Sequence, residues 1–154
     1  MSSRAWTVRL PYAKPPLSLN DRGHWAGKAR VTRRVRHDVA WVLRAARIPT
    51  LDRVQVQLTY VPRDNRRRDT DNLVATLKPV ADAVVDAGIV PDDTPAFMAK
   101  PEPVIAAAVP HDPHLTLTLT ALEGPFDVSD AFNRHVNAPD TLPGGWVGKR
   151  GAAT

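Results

Sequence analysis

Residues 5–10, Ala-Trp-Thr-Val-Arg-Leu, alternate in polarity and predict a first strand, which Pro11, Pro15 and Pro16 stop. From about residue 26 to 47 the period changes. Val31, Val35, Val39, Val42 and Leu43 recur at helical spacing, and Pro49 ends the segment. Residues 54–61 alternate cleanly and predict a second strand with one buried face. A second helix is expected over about 72–87, with Leu73, Leu77, Val80, Val84 and Val85 on its apolar side and Gly88 as its stop. Pro79 conflicts with it, because an interior proline removes a hydrogen bond and clashes with the preceding turn. The helix is therefore expected to kink there or to become regular only near Lys78. Residues 89–97 read as a loop. Residues 103–109 and 114–122 read as two further strands, close enough in sequence to form an antiparallel hairpin.

The order is β-α-β-α-β-β. It predicts an α+β fold, a small single domain with a mixed four-stranded sheet and the helices packed on one face. The domain should span residues 1–122. After Glu123 prolines and glycines break any period, and residues 123–154 read as a tail, partly or wholly disordered. Phe126, Phe132 and Trp146 could dock it.

The chain has 154 residues and no cysteine, which removes disulfides and Cys-based zinc sites from consideration. No apolar run reaches the ~18 residues of a membrane span, and the N-terminus turns polar too early for a signal peptide. A cytoplasmic protein that does not engage membranes is expected. The formal charge of +5 hides a division. Residues 1–68 carry 16 Lys/Arg against 4 Asp/Glu, whereas residues 69–154 carry 5 against 12. A basic half beside an acidic half suits a polyanion-binding surface next to a carboxylate site; the plainer reading is a solvated mixed-charge surface.

The acidic residues concentrate around the second helix. Arg66-Arg67-Arg68-Asp69-Thr70-Asp71-Asn72 lies at its entrance and Pro91-Asp92-Asp93 past its end. Carboxylates so placed repel unless a cation sits between them, and Mg²⁺ takes one or two carboxylates with water and a phosphate oxygen. In an extended segment Asp69 and Asp71, two apart, would point the same way; alternatively one of them is an N-cap. Asp92-Asp93 in a loop is ordinarily turn chemistry. A helix of ~16 residues spans about 24 Å, so Asp93 meets Asp71 only if the loop folds back or a second subunit contributes. Lys78 could steady a phosphate or pair with Asp82, four residues on. The arginine run, Asn20 and Arg22 in the loop before the first helix, and Lys28 and Arg30 with the rest of that basic helix offer contacts to a phosphate backbone. Trp25 is read as core or as a contact, and His24 as a weak candidate base. The other histidines show no metal-ligand spacing.

Three stretches together resemble the RusA-like Holliday-junction resolvases, many of them phage- or prophage-encoded. They are Pro15-Pro16-Leu17-Ser18-Leu19-Asn20, Arg67-Arg68-Asp69-Thr70-Asp71-Asn72-Leu73 and Asp86-Ala87-Gly88-Ile89-Val90-Pro91-Asp92-Asp93, with fifteen residues between Asn72 and Gly88. The likeness covers residues 5–122. It implies a Mg²⁺-dependent homodimeric endonuclease that cuts four-way DNA junctions by paired nicks, with Mn²⁺ as a substitute. The family's metal carboxylates carry over onto Asp69, Asp71 and Asp93, with Asp92 assisting. Its catalytic lysine carries over onto Lys78 if this chain holds a few extra residues after Asn72, a departure that coincides with Pro79. Two other functions fit the same residues: a non-catalytic basic DNA-binding protein, and a metal nuclease acting on flaps, forks or RNA.

Overall fold

The structure is a computed structural model and describes residues 3–19 and 22–124. Five strands and two helices follow in the order β1 (Ala5–Leu10), α1 (Trp25–Ala45), β2 (Arg53–Val61), α2 (Asp71–Asp86), β3 (Met98–Ala99), β4 (Val104–Ile105) and β5 (His114–Leu122). They form an α+β domain with a mixed sheet. The tail expected from residue 123 lies outside the described residues from 125 onward, as does Asn20.

The long strands form as their alternation predicts. Val54, Val56, Leu58 and Tyr60 of β2 are buried, and so are Leu115, Leu117 and Leu119 of β5. Register sets them side by side, with Val56 opposite Leu119 and Leu58 opposite Leu117. They form one core with the inward residues of both helices. The opposite face carries Gln55, Gln57, Thr59, Thr116 and Thr118.

The sheet order corrects one expectation. Residues 103–109 and 114–122 do not form a hairpin. β5 lies between β1 and β2 and is antiparallel to both, while β4 pairs with β2 in parallel on its other edge. The segment expected as a seven-residue strand pairs only at Val104 and Ile105, and Met98–Ala99 adds a fifth short strand. Two long alternating strands paired along nine residues satisfy far more backbone than a short Ala-rich segment can.

Helix α2 runs from Asp71 to Asp86 with Pro79 inside it. Leu73, Thr76, Leu77, Val80 and Val84 are buried. The Thr76 hydroxyl donates to the Leu17 carbonyl at 3.0 Å and the Ser18 hydroxyl to Asn72 Oδ1 at 2.9 Å, tying the segment after β1 across the first turns of α2.

Gly88, at φ 76°, ends α2. Its N–H donates to the Val85 carbonyl at 2.9 Å and that of Ile89 to the Val84 carbonyl at 3.3 Å, the paired bonds of a Schellman stop. Ile89 and Val90 are then buried, and the Leu51 N–H donates to the Ile89 carbonyl at 2.7 Å. These anchors turn the chain back along α2.

Candidate functional site

At the α2 entrance the backbone turns into the helix before Asp71. Thr70 is in the right-handed helical region (φ −65°, ψ −26°), so the 69–71 segment is not the extended stretch that would project both carboxylates one way. Asp69 Oδ1 accepts the Asp71 N–H at 3.2 Å, doing the work of an end cap, while the Thr70 hydroxyl donates to the Glu102 carboxylate instead. Asp69 and Asp71 are both exposed. Beside Asp69 opens a cavity of about 240 Å³, lined among others by Lys14, Ser18, Tyr60, Arg68 and Asn72.

The three arginines divide. Arg68 is turned inward. Its guanidinium donates to Asp64 Oδ1 at 2.6 Å and to the carbonyls of Asp64 and Arg66 at 2.7 and 3.0 Å, and it lies 5.9 Å from the Tyr60 ring centre. It thereby fixes the loop that carries Asp69, and its hydrogen bond holds the Asp64 carboxyl below the usual range. Arg66 and Arg67 face solvent, with Arg66 3.6 Å from Asp64.

The second part of the site lies further along α2. Lys78 Nζ is 2.9 Å from Asp82 Oδ1 and 3.2 Å from Asp93 Oδ2, so it pairs with its helical neighbour and also reaches the second acidic motif. Lys100, just past β3, donates to the Asp93 carbonyl at 3.0 Å and lies 3.4 Å from its carboxylate. Asp92 Oδ1 accepts the Asp93 N–H at 2.8 Å, a turn contact. The hydrogen bond from Lys78 keeps the Asp93 carboxyl below its ordinary range against the opposing effect of partial burial, and Lys100 adds to this. The Lys78 ammonium is raised, first by Asp82 and then by Asp93.

The fold-back thus does what the sequence left open. Asp93 comes alongside Lys78, seven residues or about 10 Å of helix beyond Asp71, rather than staying a full helix length away. It does not complete a cluster. Among the described residues no three His, Cys, Asp or Glu side chains converge closely enough to hold a metal ion. The donor set fits a cation only in part. Asp69 and Asp71 provide the one or two carboxylates that Mg²⁺ takes beside water and phosphate, whereas Asp93 is held by two lysines.

Arg22, just before the first basic helix, and Lys28 and Arg30 within it are exposed. Trp25 is not core; it is 76% exposed and stacks on His24 with ring centres 6.0 Å apart. The His24 ring accepts the Ala26 N–H at 3.4 Å, which caps α1. Two residues were not singled out from sequence: Lys100 and Glu102. No motif marks them; the parallel pairing of β3 and β4 on β2 brings them to the site.

No protein-family model matches the chain. A protein of Xylella fastidiosa, named only as uncharacterized, is 27% identical over 122 residues, covering 75% of this chain and 76% of the relative. Among the described residues no helix is long and apolar enough to cross a membrane.

Proposed function

We propose that this chain is a metal-dependent, structure-selective DNA endonuclease of the RusA-like type, resolving four-way junctions as a homodimer in the cytoplasm. The observation that carries the reading is the return of the Asp92-Asp93 loop along α2. It sets an ionised Asp93 between Lys78 and Lys100, on the helix whose entrance holds Asp69 and Asp71.

In this reading Asp69 and Asp71 would hold Mg²⁺, and Asp93 and Asp92, which the resemblance carries over as further ligands, would have to leave Lys78, Lys100 and the turn contact to reach it. Bound there, the ion would lower the pKa of a water and stabilise charge on the phosphate. Lys78 and Lys100 set two positive charges beside Asp93, where developing negative charge on a phosphate would be stabilised. Arg66 and Arg67, with Arg22, Lys28 and Arg30, hold the backbone, and Arg68 keeps the loop in place. A two-fold dimer presents two equivalent sites to the two equivalent strands of a junction.

Cleavage of a labelled synthetic four-way junction in Mg²⁺ or Mn²⁺, beside a linear duplex, a flap and an RNA, tests this. Paired symmetric nicks in the junction alone, lost in Asp71→Asn, are expected. Cutting of flaps, forks or RNA instead would keep the chemistry and change the substrate. One observation favours a second reading, a non-catalytic DNA-binding protein: Asp93 is already neutralised by two lysines. Tight junction binding without nicks in either metal would establish it.

A further inference from the structure

Helix α1 carries a surface of which the nuclease reading uses only Arg30. Arg30, Arg34, His37 and Trp41 stand at intervals of four, three and four residues, which places them on one face. All four are exposed, opposite the buried Val35, Val39 and Leu43. Trp41 is 66% exposed. The row is about 16 Å long.

The charges on this face do not serve the fold. Arg36 and Arg44 are tied down, Arg36 to Asp86 at 2.7 Å and to Asp82 at 3.8 Å, and Arg44 to the Asp86 carbonyl at 2.8 Å. Lys28, Arg30, Arg33 and Arg34 form no ion pair among the described residues. The first turn of α1 has no acidic residue, and cations near a helix N-terminus oppose its dipole. His37 lies 3.4 Å from Asp38, but Arg30 and Arg34 stand exposed without an ion pair among the described residues, which makes the row complementary to a polyanion. A large aromatic at the C-terminal end of that row, Trp41, adds what a polyanion with exposed bases would use, a flat ring for stacking.

Arg36, on the flank of α1 rather than in the row, connects the helix with the candidate site. Arg36 reaches Asp82, Asp82 pairs with Lys78, and Lys78 pairs with Asp93.

We infer that the outer face of α1 is a track for a single nucleic-acid strand, on which Trp41 stacks an unpaired base and Arg30 and Arg34 hold the phosphates. It rests on the proposed function only in taking DNA as the polyanion, not in requiring cleavage.

The test is fluorescence anisotropy of a labelled dT oligonucleotide of about twenty nucleotides, and of a duplex of equal length, with EDTA present. Trp41→Ala should weaken dT binding at least about fivefold and leave duplex binding unchanged. Trp41→Phe, which keeps a ring, should retain most of the affinity. Arg34→Ala should lower the slope of log K against log salt by about 0.7. Unchanged dT affinity in Trp41→Ala would overturn the inference. So would an equal loss on duplex and on heparin, which would make the row a general anionic surface. If the junction is bound but never cut while dT binding depends on Trp41, only the nuclease reading fails. If cleavage is normal and Trp41→Ala binds dT like wild type, only this inference fails.

Discussion

Replacing Asp93 by asparagine removes one charge while keeping the shape, so it isolates the ion pairs at the centre of the candidate site. At an effective dielectric of about 20, a charge pair a little over 3 Å apart attracts by roughly 5 kcal/mol before desolvation and entropy are counted. Solvent reduces this strongly. Lys78 is 67% exposed and keeps Asp82 at 2.9 Å, so its loss is that of a surface pair, about 0–1 kcal/mol. Lys100 is 32% exposed and Asp93 25%, and Lys100 keeps no acidic partner among the described residues; its share is about 1 kcal/mol. Asp93→Asn should therefore destabilise the domain by about 1–2 kcal/mol at neutral pH. The pH dependence has a definite sign. The folded carboxyl is held below its unfolded value, so its contribution is complete above the unfolded pKa of about 3.9 and is lost as pH falls through the lower folded value. Urea melts of both proteins from pH 7 downward measure it. The gap should stay constant to about pH 5 and narrow below about 4. No difference at pH 7, or a gap that widens on acidification, would refute the placement of Asp93 between the lysines.

Three further outcomes follow from the same geometry. Arg68→Ala leaves Asp64 without its closest cation and frees the Asp69 loop; it should lower the midpoint of urea melts and weaken junction binding. Gly88→Ala forces a side chain into the left-handed region at the α2 stop and should cost about 1–2 kcal/mol by thermal melting. Tyr12 donates to Asp38 at 2.9 Å, and burial, with that bond, raises its phenol well above the ordinary range; ultraviolet titration should show a late phenolate that Tyr12→Phe removes.

The local elements were legible because each is written in a period. The Leu-Thr-Leu-Thr alternation of β5 and the valine spacing of α1 depend only on which side of the backbone faces water. Gly88 was legible as a stop because only glycine takes its φ without strain. Strand pairing was not, since neighbours in sequence make a hairpin the cheapest closure, yet β5 pairs with β1 and β2, whose partners lie more than fifty residues away.

The candidate site divides in the same way. Asp69, Asp71, Asp92, Asp93 and Lys78 stand out in the sequence because charges crowd around one helix. What each does was decided by contacts. Asp92 bonds its neighbour's N–H, Asp69 caps Asp71, and Arg68 turns inward to Asp64. Lys100 had no signal at all, because a lone lysine gains meaning only from what it touches. The elements, the division of charge and the residues able to do chemistry could be read along the chain, since they follow from local period and composition. The return of the chain along α2, the lysines that hold Asp93 and the arginine that serves the fold emerge with folding alone, because they depend on contacts between residues distant in the chain.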